Sequence, residues 1–316
     1  AQAVALLLRE RHGLTMRRAC GVLEDGFGLD LSPGGLAQMI QRCASRLEAE
    51  EERLLEAARS AGVQHVDETS WWVVHPEAGE PRRPPQGEEK SLWWLWVYAN
   101  EKQTLFRVSP RRDRKVVQEV LGSDFEGVLV SDCLASYDDA TPIQQKCYAH
   151  HLKAISTAQG DYEAKTGEPS AYLKRLRGLL IGAMGLKKAK PNLPSHQIQL
   201  RREALEDSAD RLLAPGRADS LTEIEDKIRR RLKKQRDHLF VFLDHEKVPA
   251  TNNRAERQLR PAVIRRKLSS GNRTPRGAKA FERMASVVET CVQQGRSVVE
   301  YLTATMSLGV EPLPLR

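Results

Sequence analysis

The stretch "VQHVDETSWWVVH", residues 63–75, changes the texture of the chain and decides its class. Upstream of it, apolar residues fall at helical spacing. Within it, β-branched and aromatic side chains dominate between Gly62 and Pro76, which is the composition of a strand. Two similar runs follow. "SLWWLWVYA" (91–99) and "TLFRVSP" (104–110) are separated only by "NEKQ", so three strands in an antiparallel meander are expected. A loop rich in Pro, Gly and charge, "PEAGEPRRPPQGEEK" (76–90), joins the first two. "RRDRKVVQEVLG" (111–122) predicts a helix ending at Gly122, and "GVLVSD" (127–132) predicts a short buried strand. Three antiparallel strands, a helix and a fourth strand imply a mixed α/β sheet.

On either side of this sheet the pattern is helical. Residues 1–60 predict an N-terminal helical region with breaks at Gly13 and Gly26–Gly28, and Ser32 followed by Pro33 opens one of its helices. Short helices with Gly turns permit a helix-turn-helix; a plain helical subdomain fits equally well. "QKCYAHHLKAIST" (145–157) reads as a short strand or turn entering a helix, so residues 61–157 form the first half of a sheet domain. Residues 158–240 are polar and helical, a helical insertion. Residues 241–316 return to the domain as its second half, with helix starts at Thr274-Pro275 and at Ser297 with Glu300.

Bulk composition narrows the class of partner. The chain has 316 residues, a formal charge of +8 and a pI near 9.3, which favours a polyanion. Its five cysteines, an odd number with no regular spacing, argue against a disulfide framework, and a reducing cytoplasm is expected. No signal peptide is evident, and no apolar run reaches the ~18 residues that a membrane span needs. The first residue is Ala1 rather than Met, which leaves room for an upstream region.

Three acids sit on three predicted elements. Asp67 lies in the first strand, Asp132 at the end of the fourth, and Glu256 at the start of a helix in "VPATNNRAERQLRP" (248–261). If the first and fourth strands are neighbours, Asp67 and Asp132 face each other and a helix across them delivers Glu256. Clustered carboxylates stay ionised only when a cation neutralises them, and hard oxygen ligands suit Mg²⁺ or Mn²⁺. Two such ions support phosphoryl transfer. Glu68 is the nearest rival, but strand alternation sends it to the opposite face from Asp67. Asp138, Asp139, Asp244 and Glu246 are further rivals, and solvated or ion-paired surface acids are the bland alternative.

"HVDET", "SDCLASY", "CYAHHLK" and "NNRAERQLRPAVIRRKLSSG", in that order over roughly residues 1–305, resemble the insertion-sequence-66 family of bacterial transposases. The resemblance implies a ribonuclease-H-like catalytic core with an Asp-Asp-Glu triad on Asp67, Asp132 and Glu256. It implies metal-dependent cleavage at transposon ends and transfer of the free 3′-hydroxyls into target DNA. It further implies double-stranded DNA as partner, a homodimer or larger assembly on that DNA, element-encoded accessory proteins and a bacterial, nucleoid-associated location. Cys133 stands where the family usually has glycine. The family's longer N-terminal region, with its metal-binding finger and coiled segment, is not among these residues. Two other functions fit the same residues: a DNA-binding derivative that no longer cuts, and a nuclease of the same fold that hydrolyses without joining.

In this frame Glu256 holds metal, and Asn252 and Asn253 cap and orient its helix, with one amide within reach of DNA. Arg254, Arg257 and Arg260 share that short helix at a spacing of three, and Pro261 is expected to end it. The following segment, with Arg265, Arg266, Lys267 and Arg273, is rich in cations and almost free of acid, a phosphate-binding footprint or a solvated basic face.

Cys147, His150 and His151 form a C-x-x-H-H cluster. A zinc site wants four ligands, and no second pair has finger spacing. The family resemblance, in which this element recurs beside the core, implies that Cys147 and His150 pack near the site; a single metal half-site is the alternative. His151 or Lys153 remains a possible DNA contact. The five tryptophans fall within 71–96 and are read mainly as core, with base stacking as the alternative. The basic run "KIRRRLKKQR" (227–236) follows a DNA backbone or is a solvated helix face.

Overall fold

In the computed structural model, residues 1–73, 92–214, 220–307 and 314–315 are described. The sequence-predicted loop at 76–90 lies outside them. In chain order the elements begin with α1 (Gln2–Glu10), α2 (Met16–Phe27), α3 (Pro33–Arg46) and α4 (Glu48–Arg59). The strands β1 (Val63–Trp72), β2 (Leu92–Ala99) and β3 (Thr104–Ser109) follow, then α5 (Arg114–Leu121), β4 (Val128–Ser131) and β5 (Gln144–Lys146). Next come α6 (Tyr148–Thr166), α7 (Ala171–Ala189), α8 (Ser195–Leu213), α9 (Glu223–Lys234) and α10 (Val241–Asp244). The chain closes with α11 (Asn253–Ser269), α12 (Pro275–Gln293) and α13 (Val298–Met306). Thr15, Ser32, Asp113, Ser170, Thr222, Thr274 and Ser297 each accept a backbone N–H at a helix start, the role their short side chains suit.

The chain divides into two compact units, 1–127 with 135–140 and 253–316, and 128–134 with 141–252. The expected boundary at 60/61 is not one of these divisions: α3 and α4 pack on α12, and α1 packs on α13, inside the first unit.

In the first unit β1, β2 and β3 form the expected antiparallel meander, with Asp67 opposite Val97 and Glu68 opposite Trp96. The pleat then sorts side chains into two faces. On one face Trp71, Val73, Leu95, Val97 and Phe106 form a core with Ala255, Leu259 and Ala262 of α11 and Phe281 of α12. Trp71 stacks on Phe281 with ring centroids 4.7 Å apart, an arrangement worth about 1 kcal/mol beyond area burial. On the other face Trp96 meets Tyr137 edge-on, and the Tyr98 hydroxyl donates to the Val116 carbonyl at 3.3 Å. Trp71 and Trp96 are buried and Trp94 is covered by the Arg112 guanidinium at 4.0 Å, so these three pack within the fold.

The strand β3 carries backbone amides that would template further pairing if left open. Here α12 takes them. Thr290 Oγ1 accepts from Thr104 N at 3.1 Å, Ser286 Oγ from Phe106 N at 2.8 Å, and Glu282 Oε1 from Val108 N. Residues four apart on a helix share a face, and alternate strand amides share an edge, so the two periods match.

The second unit holds β4 and β5 as a parallel pair, with Leu129 opposite Gln144, followed by α6 to α10. Its helical part begins at Tyr148, directly after the short strand β5, as expected of a strand entering a helix within 145–157. The α9 helix opens with a capping box in which Thr222 and Glu225 exchange hydrogen bonds. With strands antiparallel in one unit and parallel in the other, the chain is mixed α/β.

Candidate catalytic and DNA-contacting residues

Asp67 lies on the β1 row that includes Trp71 and Val73, the row that faces α11. The α11 helix lays Ala255, Leu259 and Ala262 across this face. Arg266 locks the arrangement from the next turns: its Nη1 donates to Thr69 Oγ1 at 2.8 Å and to Ser70 Oγ at 2.7 Å. Glu256 follows buried Ala255 on the same helix and is exposed. The first unit therefore packs the helix that carries Glu256 against the strand that carries Asp67.

Glu68 is engaged on the far face, as alternation requires. It accepts from Arg112 Nη2 at 2.7 Å and Nε at 3.1 Å, and from the Tyr137 hydroxyl. Nothing in the sequence pattern marks Tyr137 or Arg112 as its partners.

Asp132 belongs to the second unit, directly after β4. Its Oδ1 accepts from Leu134 N at 2.8 Å, which turns the chain after the acid. Ser131 Oγ donates to the Asp132 carbonyl at 3.1 Å and accepts from the buried Lys146 Nζ at 3.3 Å. Cys133 lies outside the left-handed backbone region, where Asp139 and Ser270 are the non-glycine occupants among the described residues, so the turn accepts a side chain there. Its Sγ lies 3.4 Å from Nε2 of His151. His151 is buried, and burial, with Arg231, His150 and Lys146 adding to it, pushes its pKa down to about 3. That placement removes His151 from the possible DNA contacts; Lys153 is exposed. Burial raises the Cys133 thiol, with Arg231 opposing.

Cys147 is buried before α6, and its Sγ accepts from Asn252 N at 3.2 Å. Tyr148 N donates to the Ala250 carbonyl at 2.8 Å, so the segment entering α11 is pinned to the start of α6 within the second unit. His150 is half-buried.

The expected DNA-binding set divides. Asn252 is 1% exposed, inside the second unit, which corrects its reading as a nucleic-acid contact. Arg265 is also buried: its Nη1 pairs with Glu10 and its guanidinium stacks over Phe281 at 4.5 Å. A buried, paired guanidinium cannot meet a phosphate, so Arg265 belongs to the core. Arg266 is committed to β1, and Arg254 Nη1 donates to the Asn100 carbonyl at 3.0 Å. Asn253, Arg257, Arg260, Lys267 and Arg273 are exposed. The helix also runs on through Pro261 to Ser269 rather than ending before it. Packing of Ala255, Leu259 and Ala262 on the sheet offsets the hydrogen bond that the proline removes.

The turn after α11 is rigid. Trp71 Nε1 donates to Asn272 Oδ1 at 2.8 Å, Asn272 N donates to the Trp72 carbonyl at 2.9 Å, and Asn272 Nδ2 donates to the Gly277 carbonyl at 3.0 Å. Gly271 sits at φ 86°, and a Cβ there would lie 2.3 Å from the Trp72 carbonyl oxygen. Exposed Arg273 is thus presented from an anchored loop. In the basic run 227–236, Arg229 and Arg230 pair with Asp226 and Arg236 with Asp210, while Lys227, Arg231 and Lys233 are exposed. Among the described residues, no helix is long and apolar enough to cross a membrane.

The chain is 22% identical over 309 residues to the uncharacterized protein y4qI of Sinorhizobium fredii, covering 89% of this chain and 54% of that protein. It is 32% identical over 83 residues to the uncharacterized protein y4jO of the same organism, covering 26% of each. The chain thus spans about half the length of the first of these relatives and about a quarter of the second. The model of the IS66 family of transposases matches residues 1–280, and the chain belongs to that family.

Proposed function

We propose that this chain is the catalytic part of a DNA transposase with a ribonuclease-H-like core, in which Asp67, Asp132 and Glu256 act together. The observation that carries the reading is the packing of α11, with Glu256 and its exposed arginines, across the β1 face on which Asp67 lies. All three side chains offer hard carboxylate oxygens, the donor set that suits Mg²⁺ or Mn²⁺. Bound divalent ions, two in this reading, would activate a water for attack on a phosphodiester and stabilise the departing oxygen. Asp67 would supply a ligand from β1, and Asp132 one from the turn after β4, where its carboxylate accepts from the Leu134 amide. Glu256 supplies the third from a helix held by Arg266. Arg257, Arg260, Lys267 and Arg273 neutralise the phosphate backbone, and Asn253 stands beside them at the helix start. Cys147 supports the segment that leads to α11 rather than reacting, and His150 follows it in sequence on α6.

The partner in this reading is double-stranded DNA, with transposon ends and target held by a dimer or larger assembly, together with element-encoded accessory proteins, in the bacterial cytoplasm at the nucleoid. The test is cleavage of the element's terminal DNA with and without Mg²⁺. Asp67→Asn, Asp132→Asn and Glu256→Gln should each remove cutting while DNA affinity stays within about threefold of wild type. Cutting at the wild-type rate by any one variant overturns the triad. A pre-cut end, offered to wild type with target DNA, separates a transposase from a nuclease by the appearance of joined product.

A further inference from the structure

The exposed face of α11 carries two side chains that its charge pattern does not explain. Ile264 and Leu268 are each 52% exposed, on a helix whose opposite side packs Ala255, Leu259 and Ala262 into the core. At 100° per residue, Glu256, Lys267, Arg260, Ile264, Arg257 and Leu268 fall in that order round the outward arc. Ile264 lies within this arc, with Arg260 and Arg257 on either side. Among the described residues no salt bridge occupies Arg257, Arg260 or Lys267. Leaving branched aliphatic side chains in water amid free cations has no stabilising effect in the folded chain.

We propose that Ile264 and Leu268 form a wedge that enters a base step of duplex DNA while the flanking cations hold the phosphates on either side. This rests on the reading of the chain as a DNA-cutting enzyme and deepens it. Aliphatic wedges framed by basic residues unstack a step and kink the duplex, which lets more of the protein surface meet the backbone. Ile264 stands eight residues beyond Glu256, about 12 Å along the helix at ~1.5 Å per residue. That spans between three and four phosphates at ~3.4 Å per strand, so the kink falls near the phosphate that Glu256 would address. A second copy of this chain is the weaker occupant. A two-fold contact through the same patch would set Arg257, Arg260 and Lys267 against their own copies.

The experiment uses the full chain and a duplex of about 40 base pairs with end-labelled dyes and 2-aminopurine at successive positions, in EDTA so that nothing is cut. Wild type should draw the ends together and raise 2-aminopurine fluorescence at one step. The double variant Ile264→Ser, Leu268→Ser should leave both signals at the free-duplex level, with low-salt affinity changed less than about threefold. Ile264→Met with Leu268→Met should keep both signals. Bending and unstacking by the serine variant equal to wild type would overturn the wedge. So would a wild-type dimer in sedimentation that the serine variant loses while still bending DNA. Because the readout needs no cutting, failure of the acid triad leaves it intact, and the two results are separable.

Discussion

Arg266 Nη1 donates to Thr69 Oγ1 at 2.8 Å, which fixes the helix that carries Glu256 against the strand that carries Asp67. Arg266→Met removes that tie and leaves the Thr69 and Ser70 oxygens with one donor fewer. Such a loss costs about 1–3 kcal/mol. In the proposed function it should lower cleavage at least tenfold while binding of duplex DNA changes little. Single-turnover cleavage and thermal melting measure the two effects.

Glu68 and Asp67 are adjacent in sequence and opposite in role. Glu68 is held by Arg112 and Tyr137 on the far face of the sheet. Glu68→Gln should melt earlier yet retain Mg²⁺-dependent cutting, whereas Asp67→Asn should melt near wild type and not cut. Equal loss of cutting in both variants would contradict the division of faces.

Arg265 and Arg257 separate core from interface. The Arg265 and Glu10 side chains are 7% and 0% exposed, and breaking a buried pair by removing one partner costs about 3–5 kcal/mol. Arg265→Ala should therefore destabilise the fold with little change in the salt dependence of DNA binding. Arg257→Ala should leave melting within a degree or two and reduce the salt slope by about one. Denaturant unfolding and binding titrations at several salt concentrations check the pair.

Gly271 is set by geometry rather than chemistry. Its φ of 86° and the 2.3 Å approach of any Cβ to the Trp72 carbonyl admit no side chain without movement of the turn. Gly271→Ala should cost more than about 2 kcal/mol, the backbone conformation and the clash acting together. Melting compared with Gly185→Ala, a helical position where a Cβ meets nothing within 4 Å, isolates the effect.

His151 makes stability depend on acid. Its folded pKa of about 3 lies below the ~6.5 of an unfolded chain, so the unfolded state takes up the extra proton as pH falls. The stabilising term is full above pH 6.5 and is lost across the window from 6.5 to 3. Between pH 7 and pH 5 wild type should lose about 2 kcal/mol through this group. Urea unfolding at both values should show that loss in wild type and its absence in His151→Gln.

Much of the architecture was legible because it is written in local periods. The meander, the helix ending at Gly122 and the starts at Ser32, Thr274 and Ser297 follow from alternation, capping chemistry and Gly or Pro punctuation, each a property of a few neighbouring residues. The opposite facing of Asp67 and Glu68 also follows from the pleat alone. Pro261 misleads for the same reason: local propensity ends a helix there, but the apolar contacts of Ala255, Leu259 and Ala262 come from strands far away in sequence. Arginine is harder still. Arg265 and Arg266 are neighbours of identical type within one basic run, yet one is buried on Glu10 and the other holds β1.

The sequence by itself determined the strand and helix texture, the separation of the two faces of β1, the family motifs and the choice of acids to test. Only the tertiary structure decided which cations are spent inside the fold and which stand outside. It also decided that β3's amides are taken by α12 and that Ile264 and Leu268 face outward. The reason is physical: backbone preference acts over a few residues, whereas burial and ion pairing depend on partners up to hundreds of positions away, as Glu10 is from Arg265.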